Sequence, residues 1–233
     1  MQEATPITPT ARRVFGAIAG AYWFSLSLGL VLTLFHVYPS LERNPHLIGY
    51  TDVSTFDRVV DFFSWFTIWS SILLAIVFTQ LARGRFAPTM RNRVLLTDAL
   101  LMVSVTCIIF QVLLRGLVPL QGLQVVTDAI EHAWGPVVAV IAWIVFGPRG
   151  WITWRTVLLA LVLPLAWLGW TFLRSAAFIG LWPYTFLDVT EYGLASVLTT
   201  VGEIILFALF LGFVFLWIDR ARPRGRLHLS DQV

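Results

Sequence analysis

Thr67 lies in Ser64-Trp65-Phe66-Thr67-Ile68-Trp69-Ser70-Ser71, inside a stretch with no charge between Asp61 and Arg83. A hydroxyl in such a stretch is costly unless it faces the interior of a helix bundle. Ser64, Thr67 and Ser71 recur at i, i+3 and i+7, the spacing of one helical face. His132 is the one histidine placed deep in an apolar segment, since His36 and His46 fall at a segment end and in a loop and His228 in the tail. Asp128 precedes it by four residues. Helical side chains lean toward the N-terminus, so this carboxylate can orient the imidazole. A hydroxyl, a base and a carboxylate that steadies the base are the parts of a nucleophilic acyl transfer. Each also has a plainer use. Small hydroxyl residues let helices approach and bond the i−4 carbonyl, and an interfacial histidine bonds a backbone carbonyl.

Depth links the threonine to the histidine. Counted from Asp57 and Gly122, each lies ten positions in, about 15 Å at a rise of 1.5 Å per residue. Glu203 stands about ten residues into its own apolar run and must be protonated or paired within the bundle. Ser64, Ser71 and, more weakly, Arg174 are candidate donors to a developing oxyanion. Trp65, Trp69 and Trp134, close to the pair in sequence, are candidate pocket walls. No EF-hand or HExxH spacing supports a metal site, and no GxGxxG, Walker A or CxxCH motif supports a cofactor.

The elements that must position these groups follow from composition. Of 233 residues, 58% are hydrophobic and 12% charged, with mean hydropathy +0.81. A soluble domain has about 25% charged residues, so an ordinary globular protein is excluded. All 16 basic residues are arginine, which removes lysine nucleophiles and Schiff bases. The single Cys107 removes an internal disulfide, a CxxC redox pair and a thiolate zinc cluster. The arginines flank apolar segments instead of forming one patch, which argues against nucleic acid as a partner.

Charge-poor runs predict six membrane helices at about 14–37, 59–82, 93–115, 122–147, 156–179 and 193–218, with short tails at 1–10 and 223–233. The runs do not alternate, so the expected fold is an all-α bundle and not a barrel, as one transmembrane domain over 1–233. Twelve arginines fall at the termini and in the 83–93 and 149–155 loops; four, Arg43, Arg58, Arg115 and Arg174, fall on the other side. That asymmetry predicts cytoplasmic termini. There is no internal repeat to suggest an inverted-repeat transporter.

Three motifs in order resemble one family. Phe62-Phe63-Ser64-Trp65-Phe66-Thr67-Ile68 resembles the segment around the nucleophilic threonine of androgen-induced-type membrane hydrolases. His132-Ala133-Trp134-Gly135-Pro136, continuing into Phe146-Gly147-Pro148-Arg149-Gly150, resembles the histidine-then-proline segment of its bacterial six-span relatives. Trp182-Pro183-Tyr184-Thr185-Phe186-Leu187-Asp188-Val189 resembles their outer loop. The likeness covers about residues 14–219. It implies a bacterial inner or plasma membrane protein that hydrolyses lipid esters such as fatty acid esters of hydroxy fatty acids, with Thr67 as nucleophile and His132 as base. It departs from the family pattern at Trp69 and Ser71, where Gln and Asn are usual, and at Thr185, where proline is usual. The partners expected are membrane lipids or an acyl ester, with no cofactor. The alternative is a lipid-binding or transport protein that uses the same polar interior without chemistry.

Overall fold

The computed structural model describes residues 7–37, 47–48, 54–116, 120–176 and 180–221. Among them the chain is helical, apart from an isolated parallel bridge between Leu47 and Trp182. Helix α1 spans Pro9–Leu34, α2 Thr55–Phe62 and α3 Phe66–Ala82. Helix α4 spans Met90–Leu114, α5 Gln124–Phe146, α6 Trp154–Arg174 and α7 Leu194–Ala221. Five of these (α1, α4, α5, α6 and α7) are long and apolar enough to cross a membrane, and α2 with α3 would add a sixth if the bent pair is one span. A multi-pass membrane protein follows from that length and composition.

Four of the helices start where the sequence offers a side-chain cap. The Thr8 hydroxyl accepts from the Ala11 amide with Pro9 in the first turn, so residues 9 and 10, expected in a tail, are helical. Ser54 and Thr89 cap α2 and α4 in the same way, and Thr153 with Thr156 forms a capping box on α6. The tail expected at 223–233 lies outside the described residues.

The second apolar run departs most from expectation. It is not one helix over 59–82 but two, bent by 65° across residues 63–65. Trp65 is extended, and Ser64 bonds back to the Val60 carbonyl at 2.7 Å. The break frees two carbonyls, and each finds an indole. Trp69 donates to Phe63 at 2.8 Å, and Trp167 of α6 donates to Ser64 at 2.9 Å. Carbonyls freed in the middle of a helical segment need partners, and these bonds supply them.

Helix α4 is central and packs against α3, α5, α6 and α7, while α1 lies along α3 and α5. Phe15 meets Phe78 edge-on at 5.0 Å, among the fully buried Leu74, Leu81, Leu96 and Leu100. A second apolar cluster joins Trp167, Trp182, Tyr184, Leu187 and Val201 at the other end. At the arginine-rich end, Arg12 donates to the Ala82 carbonyl at 2.7 Å. There too, the Asp219 carboxylate accepts the Gly150 and Ile152 amides at 3.0 and 2.9 Å.

A buried ion pair holds α2 to α6. Arg174 donates to Asp61, and both side chains are buried. Removing one partner of such a pair leaves a charge without compensation, at a cost of about 3–5 kcal/mol. Asp61→Ala is therefore expected to destabilise the detergent-solubilised protein by that amount. Replacing both residues, Asp61→Leu with Arg174→Leu, should cost clearly less than the single change when unfolding is followed by denaturant titration.

Candidate active site

Two residues near the middle of α5 decide where His132 points. Pro136 has no amide hydrogen, and its ring would crowd the carbonyl four residues back, which is that of His132. The helix responds with a π-turn over Ala129–Ala133. Gly135 makes the wide turn possible, because a Cβ there would lie 1.9 Å from the Ile130 carbonyl oxygen and 2.8 Å from the Tyr22 hydroxyl. The stranded His132 carbonyl accepts the Gln111 side-chain amide at 3.2 Å. Gln111 stands in a matching π-turn of α4, Phe110–Leu114, and its neighbour Phe110 stacks on the imidazole with centroids 3.9 Å apart. Ring plane and depth are thus fixed from both sides.

So held, His132 Nε2 lies 3.0 Å from Thr67 Oγ1 and His132 Nδ1 lies 2.9 Å from Asp128 Oδ1. A carboxylate can only accept, so in its bond to Asp128 the Nδ1 carries the hydrogen. In the neutral ring Nε2 is then the acceptor, and the Thr67 hydroxyl donates to it. The bend before α3 supplies the other half of the geometry. Thr67 is the second residue of α3, not a residue ten positions into a continuous helix. Its backbone is held from behind, as Thr106 donates to Ser70 at 3.1 Å and Ser70 donates to the Thr67 carbonyl at 2.8 Å.

Beside the pair opens an apolar cleft. Met102, Val105 and Ile109 of α4, Leu168 of α6 and Ile205 and Ala208 of α7 line it. Pro164 breaks α6 at Ala160–Leu161 and lines the same space. The side chains with polar atoms that line the cleft are Thr67, Thr106, His132, Trp167 and Tyr184. Such a cavity binds apolar chains and orients one polar group.

The other expected residues take different places. Ser64 uses its hydroxyl on Val60, and Ser71, though buried, does not line the cleft. Arg174 is bound to Asp61. Trp65 packs edge-on to Tyr184 at 5.2 Å, and Trp69 borders an outer groove with Phe63 and Trp170. Trp134, expected at the pocket, is 73% exposed. It follows the turn that brings His132 inward and so points the other way. Glu203, expected inside the bundle, is exposed on α7. It lies two residues, about 200° of helix, beyond the buried Val201.

Glu131, Gln111, Phe110 and Tyr184 were not singled out from the sequence. Glu131 is buried and accepts from Ser25 of α1 at 2.7 Å, beside the histidine. A glutamine in an apolar run was the available signal for Gln111, though not for what it bonds. Among the described residues no three His, Cys, Asp or Glu side chains gather as a metal ion would require. Comparisons with protein-family models, with curated proteins and with solved structures find no match for this chain.

Gln111→Leu tests the support of the π-turn. It leaves the His132 carbonyl without its donor, a loss of about 1–3 kcal/mol for a buried acceptor. Unfolding of the variant in detergent should shift by that amount, with no change in helix content by circular dichroism.

Proposed function

We propose that this protein is an intramembrane hydrolase of lipid esters. The observation that supports it is the Thr67–His132–Asp128 relay, set at an apolar cleft with hydrogen bonds of 3.0 and 2.9 Å. Thr67 Oγ attacks the ester carbonyl and its proton passes to His132 Nε2. The intermediate collapses, the leaving alcohol takes that proton, and water releases the acyl group from Thr67 through the same base. Asp128 holds the ring tautomer. The apolar walls suit an acyl chain. The histidine and aspartate side chains keep 15% and 21% exposure, which leaves an approach for the water that the second step consumes.

If the pair acts as a unit, Thr67→Ala and His132→Ala each lower ester turnover by at least about 10²-fold. The double variant is then little worse than either. Thr67→Val keeps the shape, loses the hydroxyl and should fold without turning over, whereas Thr67→Ser keeps part of the activity. A fluorophosphonate adduct should map to Thr67. Full activity in Thr67→Val would remove the threonine from the reaction. Lipid binding by the wild type without any turnover would favour the binding or transport reading.

The same proposal takes the bent α2–α3 pair as one span, giving six, with both termini cytoplasmic. The arginines of the 83–93 and 149–155 loops support this orientation. In a Cys107→Ala background, Thr190→Cys should react with an impermeant maleimide on intact cells. Ala87→Cys should react only after permeabilisation; labelling of both from outside would overturn the six-span arrangement.

A further inference from the structure

An addition to an ester carbonyl needs a donor for the negative oxygen it creates, and the relay described above contains none. The cleft narrows the choice. Of its side chains with polar atoms, Thr67 is the nucleophile, His132 the base, Thr106 donates to Ser70 and Trp167 donates to the Ser64 carbonyl. Tyr184 remains. It is buried, wedged edge-on against Trp65 and stacked on Phe186 with centroids 5.2 Å apart, so its ring has one orientation. The Phe66 amide, next in the chain to Thr67, donates to its hydroxyl oxygen at 3.1 Å, which sets the phenol beside the threonine at the cleft.

The Tyr184 oxygen accepts the Phe66 amide, so its own hydrogen is left to donate. The Phe66 amide, first in the turn of α3, draws charge from the phenol oxygen and strengthens that donation.

We propose that the Tyr184 hydroxyl is the oxyanion donor of this site, a catalytic residue that hydrogen-bonds the negative oxygen formed when Thr67 adds to an ester carbonyl. The assignment rests on the hydrolase reading. As the bond from Thr67 Oγ to the carbonyl carbon forms, the carbonyl π pair moves onto its oxygen and the Thr67 proton moves to His132. The new oxyanion is attached to the carbon now joined to Oγ, in the cleft that the Tyr184 hydroxyl faces. Tyr184 donates its hydrogen bond to the oxyanion and keeps its proton throughout, taking no part in the proton balance. Burial favours this, because desolvation pushes the phenol up to about 12 and leaves it protonated at ordinary pH.

The test uses the full-length protein in proteoliposomes with p-nitrophenyl decanoate as the probe ester. Tyr184→Phe should lower kcat about 10²–10³-fold, with KM within threefold of wild type and a similar slowing of fluorophosphonate labelling at Thr67. The exposed Tyr192→Phe should change neither. Because the Phe66 amide also loses a partner in Tyr184→Phe, a fluorinated tyrosine at 184 provides a second measurement. Its phenol ionises at lower pH, so an alkaline fall in kcat should appear that wild type lacks. A purely structural tyrosine would not produce it. Turnover that vanishes in Thr67→Val but stays within threefold of wild type in Tyr184→Phe, or no new alkaline limb, overturns the oxyanion assignment alone. Turnover that persists in Thr67→Val overturns the hydrolase reading and this assignment with it.

Discussion

A proline in the middle of a membrane helix imposes one requirement that the rest of the site follows. Pro136 cannot donate to the His132 carbonyl, and hydrocarbon offers no water to take its place. The chain meets this with a π-turn, a glycine that tolerates it, and a glutamine from the next helix as donor. Each part has a positional consequence. The wide turn swings the imidazole toward α3 and carries Trp134 outward. The glutamine brings Phe110 over the ring as it arrives. What begins as satisfaction of one carbonyl ends as a fixed orientation for the base.

The same rule explains the other half. The break between α2 and α3 frees the carbonyls of Phe63 and Ser64, and the indoles of Trp69 and Trp167 accept the task of filling them. The break also creates a helix start in the middle of the bundle, and Thr67 stands at it with the Phe66 amide beside it. Pro164 interrupts α6 at the level of the cleft. Four interruptions of regular helix, counting the π-turns of α4 and α5, thus surround the empty space, as expected where irregular backbone lines a cavity or lies buried in protein.

Electrostatics divides the carboxylates by what they meet. Asp61 faces Arg174 and is structural, tying α2 to α6. Asp128 faces the imidazole from one turn away. Glu131 turns to Ser25 on α1. Asp128 and Glu131 are three apart on one helix yet diverge, because the π-turn begins between them and changes the angular step.

The sequence by itself determined the helical class, the presence of several apolar runs long enough to span a bilayer, and the i, i+4 approach of Asp128 to His132. These rest on local rules: composition for the first, bilayer thickness for the second, helical periodicity for the third. It also held an equal count of residues to Thr67 and His132, although the count assumed a continuous helix where α3 in fact starts at Phe66. Only the tertiary structure decided the bend at 63–65, the exposure of Glu203 and Trp134, the capture of Arg174 by Asp61 and the arrival of Tyr184 at the threonine. Each depends on a partner distant in the chain, such as Trp167 for Ser64 or Gln111 for His132. Periodicity tells which residues share a face, but the direction of that face is set by which neighbouring helix supplies the missing hydrogen bond.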